Sequence, residues 1–406
     1  MALNIDRGMN LTSRNTTMQI RQMDPKAYQL RANYSAFIVF LTLLGMKRSA
    51  KAAGRNGFAT GKKTKNCGNP KFEWFNKDVG TPLTNAAAGA LANATTLNVT
   101  PGDGAMFTKN DLIYNRNTNE VMLVTDVTVD ALTIVRGLGT TTEGTSGEAI
   151  TAEDVIVLVS SAFPEGSVAP DAMQFKPQEH FNYTQIFKQT IENSKTNEAT
   201  EYYGNINKMS SQQKDSFDEY LLRKSRAYFL GQRTIRTDSS GRPQRTTGGL
   251  DYFIKTNVMV KKAFGYPLFM DFAERAYSYG GDEKIFICNP AMATLIQKEV
   301  LANKISIEVS PKTKEFGINI RRLQTVSGAM DILVDHTMRQ IYQFPTGFAL
   351  ETDLIEEMVL RPDTWETGIQ DKDVDGLKDQ IIGEAGLKVI NEQRHAKLVI
   401  DPQAAD

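Results

Sequence analysis

Three carboxylates at alternate positions before a glycine, Asp371-Lys372-Asp373-Val374-Asp375-Gly376, begin as a calcium loop begins. In such a loop the first, third and fifth side chains converge on the ion, and a glycine at the sixth position turns the chain. Asp379 occupies the ninth position, but the twelfth, where a bidentate Glu would close the shell, is Ile382, with Glu384 two residues late. Asp371, Asp373, Asp375 and Asp379 are therefore candidate metal ligands, set against the plainer reading of an acidic surface turn between strands.

Other reactive residue types are scattered. His180, His336 and His395 are isolated from one another and from Cys67 and Cys288, with no spacing that shares a helix face for a metal. Gly137-Leu138-Gly139-Thr140 lacks the lysine and the helix that a phosphate-cradling loop needs, so a hairpin turn after Ile134-Val135 is expected. Glu356 and Glu357 could be the paired carboxylates of a hydrolase acting on carbohydrate, but adjacent strand residues point to opposite faces. No catalytic residue and no cofactor are expected, and the two distant cysteines read as reduced thiols.

Charge is the stronger signal. The formal net charge is zero, so no global field draws the chain to nucleic acid or membrane, and any attraction must be local. Lys47, Arg48, Lys51, Arg55, Lys62, Lys63 and Lys65 lie in one stretch without a carboxylate, among Gly54, Gly57 and Gly61. Such a segment cannot pack a core and reads as a loop lying on something else. Between Val79 and Ala172 the balance reverses, eleven acids facing only Lys109, Arg116 and Arg136. A chain so segregated can attract copies of itself. The seven cations are candidate subunit contacts, meeting the acidic stretch or Glu351, Asp353, Glu356 and Glu357 of a neighbour. DNA is the competing partner, although Phe58 alone interrupts the run, too little for a single-strand stacking platform.

These residues need elements to position them. At 406 residues, two or three folding units are expected. Residues 1–25 are polar and read as an arm; 26–46 carry helical stretches and an apolar run, Ala36 to Met46, about half of what a bilayer crossing needs. The start lacks the charged-then-apolar order of a signal peptide, so cytosolic synthesis is expected. Five short β-type runs from Thr96 to Val159 suggest a small barrel or sandwich over 79–162. Phe175 to Thr190 reads as strand. Ser210-Ser211-Gln212-Gln213 opens a helix over 210–230 with Phe217, Tyr220, Leu221 and Tyr228 on one face and Lys214, Arg223, Lys224 and Arg226 on the other. After a loop through Gly249 comes an α/β stretch, with helices from Pro267 and Pro290 and strands near Lys284–Cys288, Ile305–Val309, Ile318–Leu323 and Ile332–Val334.

Several segments also share an order with a known family. Phe72-Glu73-Trp74 follows the basic glycine-rich stretch, and Phe163-Pro164-Glu165-Gly166 leads to Phe181-Asn182-Tyr183-Thr184-Gln185-Ile186-Phe187. Trp365 is then followed by Gly383-Glu384-Ala385-Gly386-Leu387-Lys388-Val389, Asn391-Glu392 and His395-Ala396. This order resembles a tailed-bacteriophage major capsid protein over most of the chain. The resemblance implies an α+β Hong Kong 97-type (HK-97) capsid fold: an N-terminal arm, an extended loop at 47–78, a peripheral domain at 163–249 with the long spine helix, an axial domain at 250–340, and strands at 341–406 returning to the peripheral domain. It further implies a non-enzymatic shell protein of the virion, assembled in the host cytoplasm as pentamers and hexamers. Portal, scaffolding or decoration proteins and non-specifically contacted double-stranded DNA are the implied partners; no membrane is. A tail or decoration protein and a hydrolase are the alternatives, and a tail tube would read as nearly all β.

Overall fold

The computed structural model describes residues 64–77, 83–140, 143–144, 147–169, 176–200, 209–302, 308–309, 321–325 and 328–404. The arm, segment 26–46 and six of the seven loop cations lie outside the described residues. The chain divides into two units, one formed by Phe75–Glu179 and one by Met1–Trp74 with His180–Asp406.

Two strands open the described chain, β1 (Thr64–Asn66) and β2 (Lys71–Asn76). In β2, Phe72 and Trp74 alternate inward while Lys71 and Glu73 stay exposed, the period-2 signature of a half-buried strand.

The unit Phe75–Glu179 contains β3 (Leu83–Asn85), β4 (Thr96–Asn98), β5 (Asp111–Asn115), β6 (Val121–Thr128), β7 (Ala131–Val135) and β8 (Val155–Ser161). They run antiparallel in the order β3-β8-β5-β6-β7-β4. The two ends of this sheet meet through an Ala86–Val99 bridge, with Ala87 N donating to Asn98 O at 2.8 Å and Thr100 N to Asn85 O at 3.0 Å. The sheet is thus a closed six-stranded barrel, which leaves no edge to aggregate. Leu97, Ile113, Met122, Val124, Leu132, Ile134 and Ile156 fill it. The unit is wider than the expected 79–162, and it gains β3, whose three residues carry one apolar side chain, too few for a periodic signal. Among the described residues no strand folds back on β7 as the expected hairpin after Ile134-Val135 would: Gly137 and Gly139 take left-handed φ of 62° and 77°, but β8 pairs with β3 and β5.

The other unit continues with β9 (Gln178–Tyr183), β10 (Gln185–Ser194), α1 (Lys195–Ala199), α2 (Met209–Leu230), β11 (Thr234–Thr237), β12 (Pro243–Thr246), α3 (Leu250–Phe253), β13 (Val258–Lys261), α4 (Tyr266–Tyr277), β14 (Glu283–Cys288), α5 (Pro290–Ala302), β15 (Glu308–Val309), β16 (Arg321–Thr325), β17 (Gly328–Val334), α6 (Met338–Ile341), β18 (Thr346–Leu350), β19 (Ile355–Glu366), β20 (Gly376–Val389) and β21 (Ala396–Ile400). The expected single strand Phe175–Thr190 breaks between β9 and β10 at Thr184. The expected loop after α2 instead contains the β11–β12 hairpin.

A seven-stranded mixed sheet, β13-β21-β18-β14-β17-β16-β15, packs against α4 and α5 through Phe269, Phe272, Phe286, Met292, Met330 and Leu398. Two of its strands, β18 and β21, belong to the segment expected to return to the spine helix. That expectation is corrected: β18 is buried at all five positions, and β14 and β21 pair with it on either side. Only β19 and β20 join the sheet beneath α2, in the order β1-β19-β20-β10.

Lys284 is buried in the mixed sheet, its Nζ donating to the carbonyls of Ala276, Tyr279 and Arg394 and so capping the last turn of α4. Burial pulls its pKa down to about 8, against the pull of Glu351.

Candidate functional site: the platform of one helix and two long strands

Some of the residues that carried the resemblance, from Phe72, Asn182–Thr184 and Glu384–Leu387, meet in a buried knot. Asn182 of β9 donates to Leu387 O at 2.7 Å and Gly248 O at 3.0 Å, and accepts from Gly248 N at 2.8 Å. Thr247 Oγ1 accepts from Leu387 N at 3.2 Å. A Cβ at Gly386 would lie 2.7 Å from Tyr183 O and 2.8 Å from the Phe72 ring, so the backbones approach only because this residue is glycine. Glu384 is held by Thr184 Oγ1 at 2.8 Å and Arg361 Nε at 3.0 Å. Gly231 ends α2 for a similar reason, since a Cβ there would stand 2.4 Å from the carbonyls of Ala227 and Thr247.

Above β19 and β20, α2 buries Tyr220, Lys224, Tyr228 and Phe229. Lys224 was expected on a charged outer face. It faces inward instead, its Nζ 2.7 Å from Glu357 and 3.0 Å from Asp363, with side-chain exposures of only 4%, 5% and 16%. Tyr228 donates to the same Glu357 oxygen at 2.7 Å and Tyr220 to Asp363 at 2.6 Å. The partners lie 129 to 143 residues away in sequence, so no local periodicity reveals them. Burial acts to lower the Lys224 pKa, but Glu357 and Asp363 together outweigh it and hold the ammonium above its ordinary value. Burial and the neighbouring carboxylates also raise both tyrosines.

Glu356, next along β19, turns the other way. Lys65 Nζ lies 3.0 Å and Lys388 Nζ 3.7 Å from it. The two glutamates thus occupy opposite faces with separate cations, an arrangement unsuited to shared acid-base work. Burial lowers the Lys388 pKa, Glu356 opposing and Lys65 reinforcing that shift. Lys65, a candidate contact to a neighbour, pairs with Glu356 of its own chain, because β1 runs parallel to β19 and sets Lys65 opposite Met358. Lys47, Arg48, Lys51, Arg55, Lys62 and Lys63 lie outside the described residues.

The four aspartates do not form a cage. Asp371, Asp373 and Asp375 are exposed in the β19–β20 turn, whereas Asp379 is buried within β20. Asp379 accepts from Gln213 Nε2 at 2.7 Å and Gly368 N at 2.9 Å, and Asp375 pairs with Lys195 at 3.2 Å. Among the described residues no group of three His, Cys, Asp or Glu could hold a metal. His180 stacks on Trp74 and His395 accepts from Glu351 N at 3.2 Å. Both cysteines are free, and burial pushes the Cys288 thiol up to about 12.

The sequence model of the family described as SU10 major capsid protein matches residues 12–400. A major capsid protein of Pseudomonas phage PaMx41 is 29% identical over 181 residues, which span 44% of this chain and 41% of that relative. Among solved structures, the capsid of a native GTA particle superposes with a TM-score of 0.47 at 8% identity, over 97% of this chain and 99% of the other. A chain from Mycobacterium phage Bobi gives 0.44 at 7%, over 97% and 99%.

Proposed function

Because the chain belongs to the SU10 major capsid protein family, we propose that it builds the icosahedral head of a tailed phage, as pentamers and hexamers closed around double-stranded DNA. The family match across nearly the whole chain carries this reading. The architecture supports it: a long helix on long strands and a mixed sheet with two helices match the peripheral and axial parts that the HK-97 fold implies, and the barrel is an addition to them. The role is structural. Each subunit contributes its arm and basic loop to neighbours, and many weak contacts add through multivalency, so stability resides in the lattice more than in the chain. Portal and scaffolding or decoration proteins complete the particle, and DNA is touched without sequence preference at the inner face. Assembly takes place in the host cytoplasm.

Negative-stain electron microscopy with size-exclusion chromatography of the purified chain tests this. Closed shells, tubes or capsomer rings are expected, alone or with scaffold; a uniform monomer under every assembly condition, scaffold included, refutes it.

A further inference from the structure

Two exposed ends of the helix platform carry opposite charge. From Arg233 to Arg245, the β11–β12 hairpin and its flanks hold four arginines against Asp238 alone. From Glu366 to Asp375, the β19–β20 turn holds four carboxylates against Lys372 alone. Each end also exposes apolar surface: Ile235 at one, Ile369 and Val374 at the other. All four residues of β11 are exposed, whereas β12 is half-buried at Arg245 and Thr246, so the outer strand of the hairpin is the one left for a partner to cover.

The two ends cannot meet within one chain. The acidic turn is tied to the start of α2 by Gln213 on Asp379 and to α1 by Lys195 on Asp375. The hairpin follows the other end of α2, where Gly249 N donates to Gly231 O at 2.8 Å. Between them α2 runs 22 residues, roughly 33 Å at 1.5 Å per residue.

Resting on the shell-building reading, we propose that the Arg236–Arg242–Arg245 hairpin of one subunit clasps the Asp371–Asp373–Asp375 turn of a second copy. Complementary charge on two distant patches makes a head-to-tail contact, the kind that closes into rings. It gives the acidic motif a protein partner in place of a cation. Being exposed, the contact weakens with salt.

Two double variants test it, Arg236→Glu with Arg245→Glu, and Asp371→Arg with Asp373→Arg, together with their combination in one chain. Each double variant should raise the concentration needed for assembly at least tenfold with an unchanged melting profile, and the fourfold variant should restore it. Unchanged assembly by the double variants overturns the clasp, as does a hairpin variant that loses only DNA retention. A second measurement is independent of shell formation. In a Cys67→Ser background, Ile235→Cys with Val374→Cys should give disulfide-linked multimers on mild oxidation of concentrated protein, and neither substitution alone should. Shells without this ladder overturn the clasp and leave the capsid reading standing. A ladder without shells under any condition does the reverse.

Discussion

Replacing Lys224 by Met removes the cation between Glu357 and Asp363 while keeping a side chain of similar length. Both carboxylates lose their neutralising partner in a site where Lys224 and Glu357 are almost fully enclosed. Removing one member of such a buried pair costs about 3–5 kcal/mol, because the remaining charge stays buried and uncompensated. That is a large share of a typical folding stability of about 5–15 kcal/mol. The two tyrosine hydroxyls still donate to the carboxylates, so the lower half of the range is expected. The chain's two tryptophans, Trp74 and Trp365, both lie in the unit that contains α2, so urea unfolding followed by their fluorescence reports on this unit. Adding Glu357→Gln to Lys224→Met should recover about 1–2 kcal/mol, since the amide still accepts from Tyr228 at a lower desolvation cost. The pH dependence follows from the direction of the shift. A lysine whose folded pKa is raised contributes stability that is full below its unfolded value, near 10.5, and is lost as pH rises through the higher folded value. The penalty of Lys224→Met should therefore be flat from pH 6 to 9. A penalty under about 1 kcal/mol, or a double variant less stable than the single, would refute the assignment of a compensated buried charge cluster.

Three further outcomes are expected. In the barrel, Asp154 accepts from Thr151, Asn115 and Asn117; the Thr151 bond leads in holding its pKa down from 3.8 to about 2, against burial. Its stabilisation is present above 3.8 and lost as pH falls through about 2, so Asp154→Asn should cost about 1–3 kcal/mol at pH 7 and almost nothing near pH 2 in calorimetric melts. At Gly347 in β18 a Cβ would stand 2.1 Å from the buried Phe286 ring; Gly347→Ala should cost about 1–3 kcal/mol by overpacking, and Phe286→Leu in the same chain should relieve part of it in thermal melts. For the basic loop, Lys62→Glu with Lys63→Glu should block assembly in light-scattering assays with the monomer's melting unchanged. Lys65 is left out of that test because its reversal would repel Glu356 within the chain.

What could be read from sequence divides along the reach of each interaction. The barrel strands other than β3, with α2, α4 and α5, follow from alternation, helical spacing and Gly or Pro punctuation within a few residues, and the structure has them within about two residues of the expected bounds. The resemblance found Asn182, Glu384 and Gly386 without saying what they do; the knot shows them satisfying backbone groups and permitting close approach. Sheet membership was harder. Phe348–Leu350 and Glu356–Leu360 are adjacent apolar strands with no local mark to send one into the mixed sheet and the other beneath α2.

The environment of a charge depends on the same long-range contacts. On the helix alone, Lys224 looks like its neighbour Arg223, which does reach solvent and pairs with Glu219. What separates them is β19, whose Glu357 and Asp363 arrive from the far end of the chain to make an interior position tolerable for an ammonium. The converse holds at Asp371, Asp373 and Asp375, where a ligand-like spacing survives without convergence because the turn splays the side chains outward and β20 commits Asp379 to α2. A rigid platform locked from within by buried charge can leave its two exposed ends free for unlike partners. That division of labour is what a subunit needs if one fold must hold its own shape and also bind its copies.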